Sequence, residues 1–447
     1  MSSYVAPGVS TKEIALLIPG SVQGVPRRPA IVGKGSSTIL IENEEVVRGN
    51  GTTDTIPNAD VADVSSIVGI GDIPGVYKYI VTTDFTVSNN TIDWSPSGQE
   101  PSAGSVYYVT YYKNKGVSYY EPMTFSGGKL NDVRSIFGNE SSNGVINEVT
   151  LGAKLAFANN AGEILALQQN GDTTQNQEDC IDKLQMEELD IIVAPGMCSS
   201  TLQGYIFSHV KNMSAESMKK ERLYFTSHSN LEASVDDLVN LAISFRNDNV
   251  VVIAPPAIDV VLTDAICNTD LTYTVSSAYA GCALAGVIAN SSFDEAEPLT
   301  RKQLAGIDGL GGTKYTEQEM NKLAVNGVLV LENVGGIVRV RHALTTSIAN
   351  VNEKELQVKI IRNQTRKDLR VLFEPYIGTK YLNTTNAQLA SALDGFCKDK
   401  IQNNIYAEYK DIKVEQSSLD PRKALASYSF KPIFTTTWIE ITYGLYF

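Results

Sequence analysis

Hydrophobic positions along this chain change their period from one section to the next. From Trp438 onward they alternate, with Ile439, Ile441, Tyr443, Leu445 and Phe447 on one face and Glu440, Thr442, Gly444 and Tyr446 on the other. This predicts a strand with one buried face, and its β-branched and aromatic content agrees. Pro432 cannot donate to a ladder and marks a boundary or an edge position before that run. At the other end, residues 1–30 hold no sustained period and are interrupted by Pro7, Gly8, Pro19, Gly20, Gly24, Pro26 and Pro29. Val5, Val9, Ile14, Leu16 and Ile18 still need burial, so an extended arm lying on another surface is expected. Apolar strands at both ends have to find a sheet, either in their own subunit or by β-strand addition to another copy.

The interior divides by texture. Runs over 30–33 and 38–42 read as short buried strand, and between about 49 and 128 the chain is rich in Thr, Ser, Asn, Tyr and Gly. Strand-like runs there at 77–81, 91–94 and 106–112, separated by turn clusters at 88–90 and 95–98, predict a small all-β unit. Beyond it, apolar runs at 163–167, 189–194, 223–227 and 250–255 alternate with helical spacing at 200–220 and 231–245, which predicts a largely parallel sheet covered on both faces. Small residues over 276–289 allow a closely packed helix. Thr316 with Glu319 is a capping box opening a helix to 324, and 327–332 with 336–341 flank a hairpin turn. Helical spacing over 353–376 and 386–401, then extended 412–416, completes an α+β section. The expected class is thus α/β plus all-β and α+β in a multidomain chain: an arm over 1–30, a small β domain (sandwich or barrel) over 31–128, an α/β domain over 129–314, an α+β domain over 315–426, and a terminal strand over 427–447.

A length of 447 residues fits several cores at roughly 150 residues each. With 43% hydrophobic and 19% charged residues the chain is expected to fold throughout. The net charge of −13, without a basic block, argues against nucleic acid or an anionic membrane as partner. No run reaches the roughly 18 apolar residues of a spanning helix, and the N-terminus lacks the basic and apolar regions of a leader, so synthesis and assembly in a cytoplasm are expected. Five scattered cysteines read as reduced, mostly buried thiols.

Candidate chemistry changes this picture little. The strand ends at Ala194-Pro-Gly and Ala254-Pro-Pro, where a parallel sheet would hold a ligand, carry nothing reactive. His209, His228 and His342 lack metal-ligand spacing and read as structural. Residues 306–314 resemble a phosphate loop only in composition and read as a flexible loop. Ser276 and Ser277 open a small-residue helix loosely similar to the nucleophile helix of subtilisin-type proteases, but the other triad elements are missing. No catalytic residue, metal or cofactor is expected. Tyr107, Tyr108, Tyr111, Tyr112, Tyr119 and Tyr120 support an alternative, a carbohydrate-binding or adhesion protein that stacks sugars on its β domain.

Several motifs together resemble the sheath protein of contractile phage tails and contractile bacteriocins. They are Tyr4-Val-Ala-Pro-Gly-Val9 with Glu13, Gly24-Val, 29–33, Pro298-Leu299, Thr316 with Glu319 and Asn321, 326–331, and 336–346 through its Thr-Thr pair. Ser10 departs from the aromatic residue common after Pro-Gly-Val in that family, and 49–128 carries little of the likeness. The resemblance implies a subtilisin-like middle domain without its triad, an outward β domain, and no catalysis. It implies inter-subunit arms through Tyr4, Val5, Pro7, Gly8 and Val9 and through Trp438, Ile439, Ile441, Tyr443, Leu445 and Phe447, joining a C-terminal sheet that holds Val328, Val330, Val338 and Val340. Its implied partners are copies of itself in a helical array of stacked rings, an inner tail tube, and baseplate and terminator proteins. The implied place is the tail of a virion or contractile particle. The implied function is contraction from a metastable extended state, which drives the tube through a cell envelope.

Overall fold

The computed structural model describes residues 27–58, 64–115, 118–142, 145–264, 269–382 and 384–437. The chain enters along Pro29–Gly33 (β1), where Ala30, Ile31 and Val32 are fully buried. It then leaves on an antiparallel excursion of Thr38–Val47 (β2), Thr53–Thr55 (β3), Val64–Gly71 (β4), Thr86–Ser88 (β5), Thr91–Asp93 (β6) and Val106–Asn114 (β7). These strands form two three-stranded sheets in the orders β2-β7-β4 and β3-β6-β5. Trp94 centres their core, edge-on to Tyr79 and Tyr107 and tilted against Phe85. A buried carboxylate organises the polar side: Asp54 accepts from Trp94 Nε1 at 2.9 Å and Tyr107 Oη at 3.0 Å, and faces buried Arg48. The run expected as a strand over 77–81 is instead a looped segment whose Tyr79 meets Ile70 in a single bridge. The short, Ser/Thr- and Gly-containing β3, β4 and β5 carried too little apolar alternation to be read.

The chain returns through Met123–Ser126 (β8), Leu130–Phe137 (α1) and a small pair, Ser141–Ser142 (β9) and Val145–Ile146 (β10), to Glu148–Ala158 (α2) and Glu163–Gln168 (β11). Thr174–Asp182 (α3), Ile191–Val193 (β12), Ser200–Met213 (α4), Leu223–Thr226 (β13), Val235–Phe245 (α5) and Val250–Ala254 (β14) follow as repeats of one theme, buried strand then amphipathic helix. A two-stranded ribbon of Ala257–Asp264 (β15) and Thr269–Ser276 (β16) precedes Ala278–Ile288 (α6), Glu317–Val325 (α7), Val328–Val334 (β17) and Ile337–His342 (β18). The main sheet runs β18-β17-β14-β13-β12-β1-β11-β8, parallel inside and antiparallel at both edges.

Side chains alternate across this sheet as the pleat requires. Ile31, Ile191, Val193, Phe225, Ile253 and Leu329 pack with α2 and α6, whereas Val32, Ile192, Tyr224, Val252, Val328 and Val330 pack with α3, α4, α5 and α7. Two assignments therefore change. The strand over 30–33 is an interior member of the main sheet and not part of the β unit, because both its faces and both its edges are occupied. Val328, Val330, Val338 and Val340 lie on β17 and β18 at one margin of the same sheet, not in a separate C-terminal sheet. The hairpin expected there does form, and so does the Thr316–Glu319 capping box that opens α7. The edge of β18 is covered by residues 301–304: Arg301 N and Leu304 N donate to Val340 O (2.7 Å) and Val338 O (3.0 Å), and Val340 N donates to Lys302 O (2.9 Å). The loop over 306–314 is tied down, not flexible. Asp259 Oδ2 accepts from Gly311 N at 3.0 Å, and Asp308 Oδ2 accepts from Val261 N at 2.8 Å.

Val351–Lys354 (α8), Leu356–Phe373 (α9), Thr385–Gln402 (α10), and the antiparallel pair Tyr406–Gln416 (β19) and Ala424–Pro432 (β20) make the last section. β20 ends on Pro432, consistent with the missing donor there. β19 is longer than the extended run expected from 412, because its polar residues face solvent and leave no hydrophobic alternation to read.

Close packing of α2 on α6 rests on glycine. A Cβ at Gly286 would fall 2.3 Å from Ala156 O, a backbone atom that cannot give way cheaply. Gly286→Ala is expected to destabilise the protein by about 1–3 kcal/mol through overpacking. Gly204→Ala, on α4 with nothing within 4 Å of the added Cβ, should instead stabilise it by up to about 1 kcal/mol through helix propensity. Denaturant midpoints of the two variants check the pair.

Candidate assembly surfaces

At the carboxyl ends of the parallel strands the residues are packed against one another. Glu148, the first residue of α2, accepts from Lys34 N at 2.9 Å and lies so close over Gly196 that a Cβ there would fall 2.1 Å from its carboxylate. Burial pushes the Glu148 carboxyl up, against the pull of Lys34. Cys198 Sγ donates to Pro195 O at 3.2 Å, and burial pushes its thiol up to about 11. Ser277 is fully buried, and its hydroxyl has no partner among the described residues. The three histidines are engaged elsewhere. Arg222 Nη1 donates to His209 Nε2 at 2.6 Å, with burial holding that imidazole down at about 4 and so neutral. His228 Nδ1 accepts from Asn230 N, and His342 Nε2 meets Glu355 at 2.9 Å. Among the described residues no cluster of His, Cys, Asp or Glu could hold a metal ion, and no helix is long and apolar enough to cross a membrane. Cys180, Cys198, Cys282 and Cys397 are free and buried; Cys267 lies outside the described residues.

The amino ends of the same strands are the charged side of the molecule. Asp190, Glu221 and Asp248 stand just before β12, β13 and β14, and each receives a cation from α9. Lys359 Nζ and Arg362 Nη1 reach Asp248 at 2.9 and 3.0 Å, Lys367 pairs with Asp190, and Arg370 grips Glu221 through both terminal nitrogens, one at 2.8 Å. Steps of three, five and three residues place these four cations within one side of a helix. Apolar residues of α9 build the last section: Leu369 packs with Leu393, Phe396 and Cys397, and Ile361 packs with Ile405 and Tyr406. Fully buried Lys400 on α10 completes the join, lying 2.7 and 2.9 Å from Glu295 and Asp368. Sequence reasoning missed this clamp. Its only linear signal was a helix too basic on its inner face for ordinary core.

Beyond the clamp, β19 and β20 form a two-stranded ladder with mostly exposed side chains. Ile433 N closes it back onto Ile405 O at 3.2 Å. The arm residues expected to complete such a ladder, Tyr4, Val5, Pro7, Gly8, Val9, Trp438, Ile439, Ile441, Tyr443, Leu445 and Phe447, lie outside the described residues. In the β unit, Tyr107, Tyr111 and Tyr112 are core residues at 0%, 0% and 4% exposure, so they cannot offer faces to a sugar. The stacking surface read from sequence loses half its rings for that reason.

A family model described as a domain of unknown function, DUF4815, matches residues 30–133, that is β1, the β unit, β8 and the start of α1. The tail sheath protein of Mycobacterium phage Bxz1 is 23% identical over 346 residues, covering 75% of this chain and 58% of that protein. The chain thus matches little more than half the length of this curated relative. The helical sheath of the anti-feeding prophage in its contracted state superposes with a TM-score of 0.60 at 11% identity, over 99% of both chains. The contracted sheath of an extracellular contractile injection system, PVC, gives 0.59 at 11% identity, over 99% of this chain and 98% of that one. The fold is that of a contractile sheath subunit. Its mixture of α/β, all-β and α+β parts is the expected class, and in the sheath fold seen here the middle and last sections are joined through α9.

Breaking that join is expected to be costly. Glu221→Gln would leave Arg370 without its carboxylate in a mostly buried site, at about 3–5 kcal/mol. Lys322→Ala, which removes the exposed pair with Asp236, should cost less than about 1 kcal/mol; chemical denaturation compares them. For Asp248, burial raises the carboxyl, but Lys359 and Arg362 outweigh it and hold the group below its usual value. The unfolded chain therefore binds this proton more readily. The contribution is full above the ordinary carboxylate value of about 3.9 and is lost as the pH falls through the lower folded value. Asp248→Asn should be less stable than the parent at pH 7, and the gap should close as the pH is lowered through that window.

Proposed function

We propose that the chain is a subunit of a contractile sheath. It polymerises helically around an inner tube and passes from a metastable extended array to a shorter, wider one, driving the tube through a cell envelope. The observation that carries this reading is coverage: subunits of contracted sheaths match this chain from end to end, all sections included. On this reading the subunit's partners are copies of itself in stacked rings, a baseplate, the tube protein and a terminator, with no role for nucleic acid or membrane insertion. A baseplate of the anti-feeding prophage also contains a chain of this fold, at a TM-score of 0.57. The particle is a phage tail or a related contractile device assembled in a bacterial cytoplasm, and the subunit is structural, not enzymatic.

The division of labour follows from the chemistry of the parts. On this reading the α/β body built on the main sheet, from β1 through β18 without the β unit, is the subtilisin-like rigid block, the β unit faces outward, and residues 1–18 and 438–447 act as arms that add strands to the β19–β20 ladder of neighbouring subunits. Backbone hydrogen bonds net about 0.5–1.5 kcal/mol each, so an added strand with several of them outlasts the weaker side-chain contacts exchanged between bodies. Head-to-tail contacts of that kind produce helical filaments and not closed dimers. Deletion of 438–447, or of 1–18, is expected to leave a folded subunit that forms no tubes. Negative-stain electron microscopy with circular dichroism is the check, and normal sheaths from either truncation would count against the arms.

A further inference from the structure

Two patches of opposite charge stand far apart on one face of the main sheet. At the β18 margin, Arg339 Nε donates to Glu332 at 2.7 Å, Arg341 Nη1 lies 3.5 Å from the same carboxylate, and Arg301 pairs with it as well. Arg341 also pairs with Glu317 of α7. Three guanidinium groups thus share two carboxylates, and one of these, Glu332, is largely buried. This margin keeps a positive surface on a chain whose total charge is −13. Arg301 is the most open of the three, with 57% of its side chain exposed.

Helix α3 packs on the same face as α7 and carries the opposite charge in Glu178, Asp179 and Asp182. Among the described residues, the partners of these carboxylates are neutral. Gln175 donates to Asp179 at 2.7 Å, while Tyr205 Oη and Gln185 donate to Asp182 at 2.9 and 3.2 Å. The nearby Lys183 is taken by Glu121 at 2.6 Å. Burial, the hydrogen bond to Asp182 and the charges of all three carboxylates push the Tyr205 hydroxyl up to about 12. The two patches do not neutralise each other within a subunit. Helix α3 leads into β12, four strands from β18, so roughly 20 Å of sheet lies between them. The screening length at physiological salt is only about 8 Å.

We propose that the arginine-rich margin of β18 docks the α3 surface of a second copy of this chain, laid side by side with the first in the same orientation. Charge complementarity selects that occupant, since the chain itself presents the acidic surface that the arginines call for. Both patches belong to one face of the sheet, so a shift across the sheet without a flip brings the margin of one copy to α3 of the next. Such a contact is head to tail and repeats along an array. The reversed pairing, α3 against α3, sets like charges together and is disfavoured. Exposed apolar residues flank both patches, Val334 and Ile337 at the β17–β18 turn and Met186 just beyond α3. They supply the apolar centre that a charged rim surrounds in a protein interface. This contact rests on the sheath reading and names the patch through which neighbouring bodies meet.

The test uses full-length chains carrying Arg301→Cys or Asp179→Cys, mixed in equal amounts, assembled and treated with a short bis-maleimide. A linker is used because an arginine–carboxylate contact holds its Cα atoms further apart than a disulfide can bridge. Peptide mass spectrometry should find position 301 of one chain joined to position 179 of another in assembled material, and not in the same mixture kept dispersed. Charge reversal gives a second reading. Arg301→Glu and Asp179→Lys should each raise the concentration needed for assembly about tenfold, because like charges then meet across the contact. The double variant restores the pairing with its sign inverted and should recover most of the loss, with circular dichroism checking that each chain is folded. Parent chains that assemble without a 301–179 link, single variants that assemble like the parent, or a double variant worse than either single would each overturn this contact and leave the sheath reading standing. Parent chains that stay monomeric at every concentration would overturn both.

Discussion

Four cations on one helix, set against three carboxylates at the foot of a parallel sheet, are the interaction on which the two halves of this molecule depend. Asp190, Glu221 and Asp248 would be expensive to bury alone, and so would Lys359, Arg362, Lys367 and Arg370. Each group is tolerable only because the other half of the protein supplies its partner. The pairs add little net energy over a well-packed apolar contact, yet they fix one register of α9 against the strands, since sliding the helix by a turn would strand every charge. The result is a stiff connection between the α/β body and the section that ends in the β19–β20 ladder.

The sheet edges are handled unequally. On one side, residues 301–304 lie along β18 and take its hydrogen bonds; on the other, the short antiparallel β8 closes the margin. Such covering keeps a large parallel sheet from pairing with a copy of itself. Strand pairing between copies is thus suppressed along the main sheet. Among the described residues the ladder of β19 and β20 has two strands, and a two-stranded ribbon is marginal without further partners.

The β unit is insulated from both. Its core is closed by aromatic packing around Trp94 and by the Asp54 network, and a second buried carboxylate, Glu44, accepts from Tyr111 Oη at 2.8 Å. It leaves the main sheet after β1 and returns at β8, two strands away across β11. Variation in it need not disturb the body.

How much of this was legible in the chain depended on whether the signal was local. The apolar runs of β11, β12, β13 and β14, the hairpin of β17 and β18, the α7 capping box and the stop at Pro432 follow from periodicity, capping and a missing donor, all of which act within a few residues. Membership of a sheet is not local. Ala30–Val32 and Val328–Val330 have the composition of any buried strand, and only the crossovers of the tertiary structure decide that they share one sheet. The α9 clamp lay further from view, because a lysine at helical spacing looks the same whether it meets water or Asp248, which is 111 residues away along the chain. The sequence by itself determined most of the local elements of the main sheet and its helices. The tertiary structure alone decided which charges are buried together, since the cost of burying a charge depends on a partner that the linear order does not name.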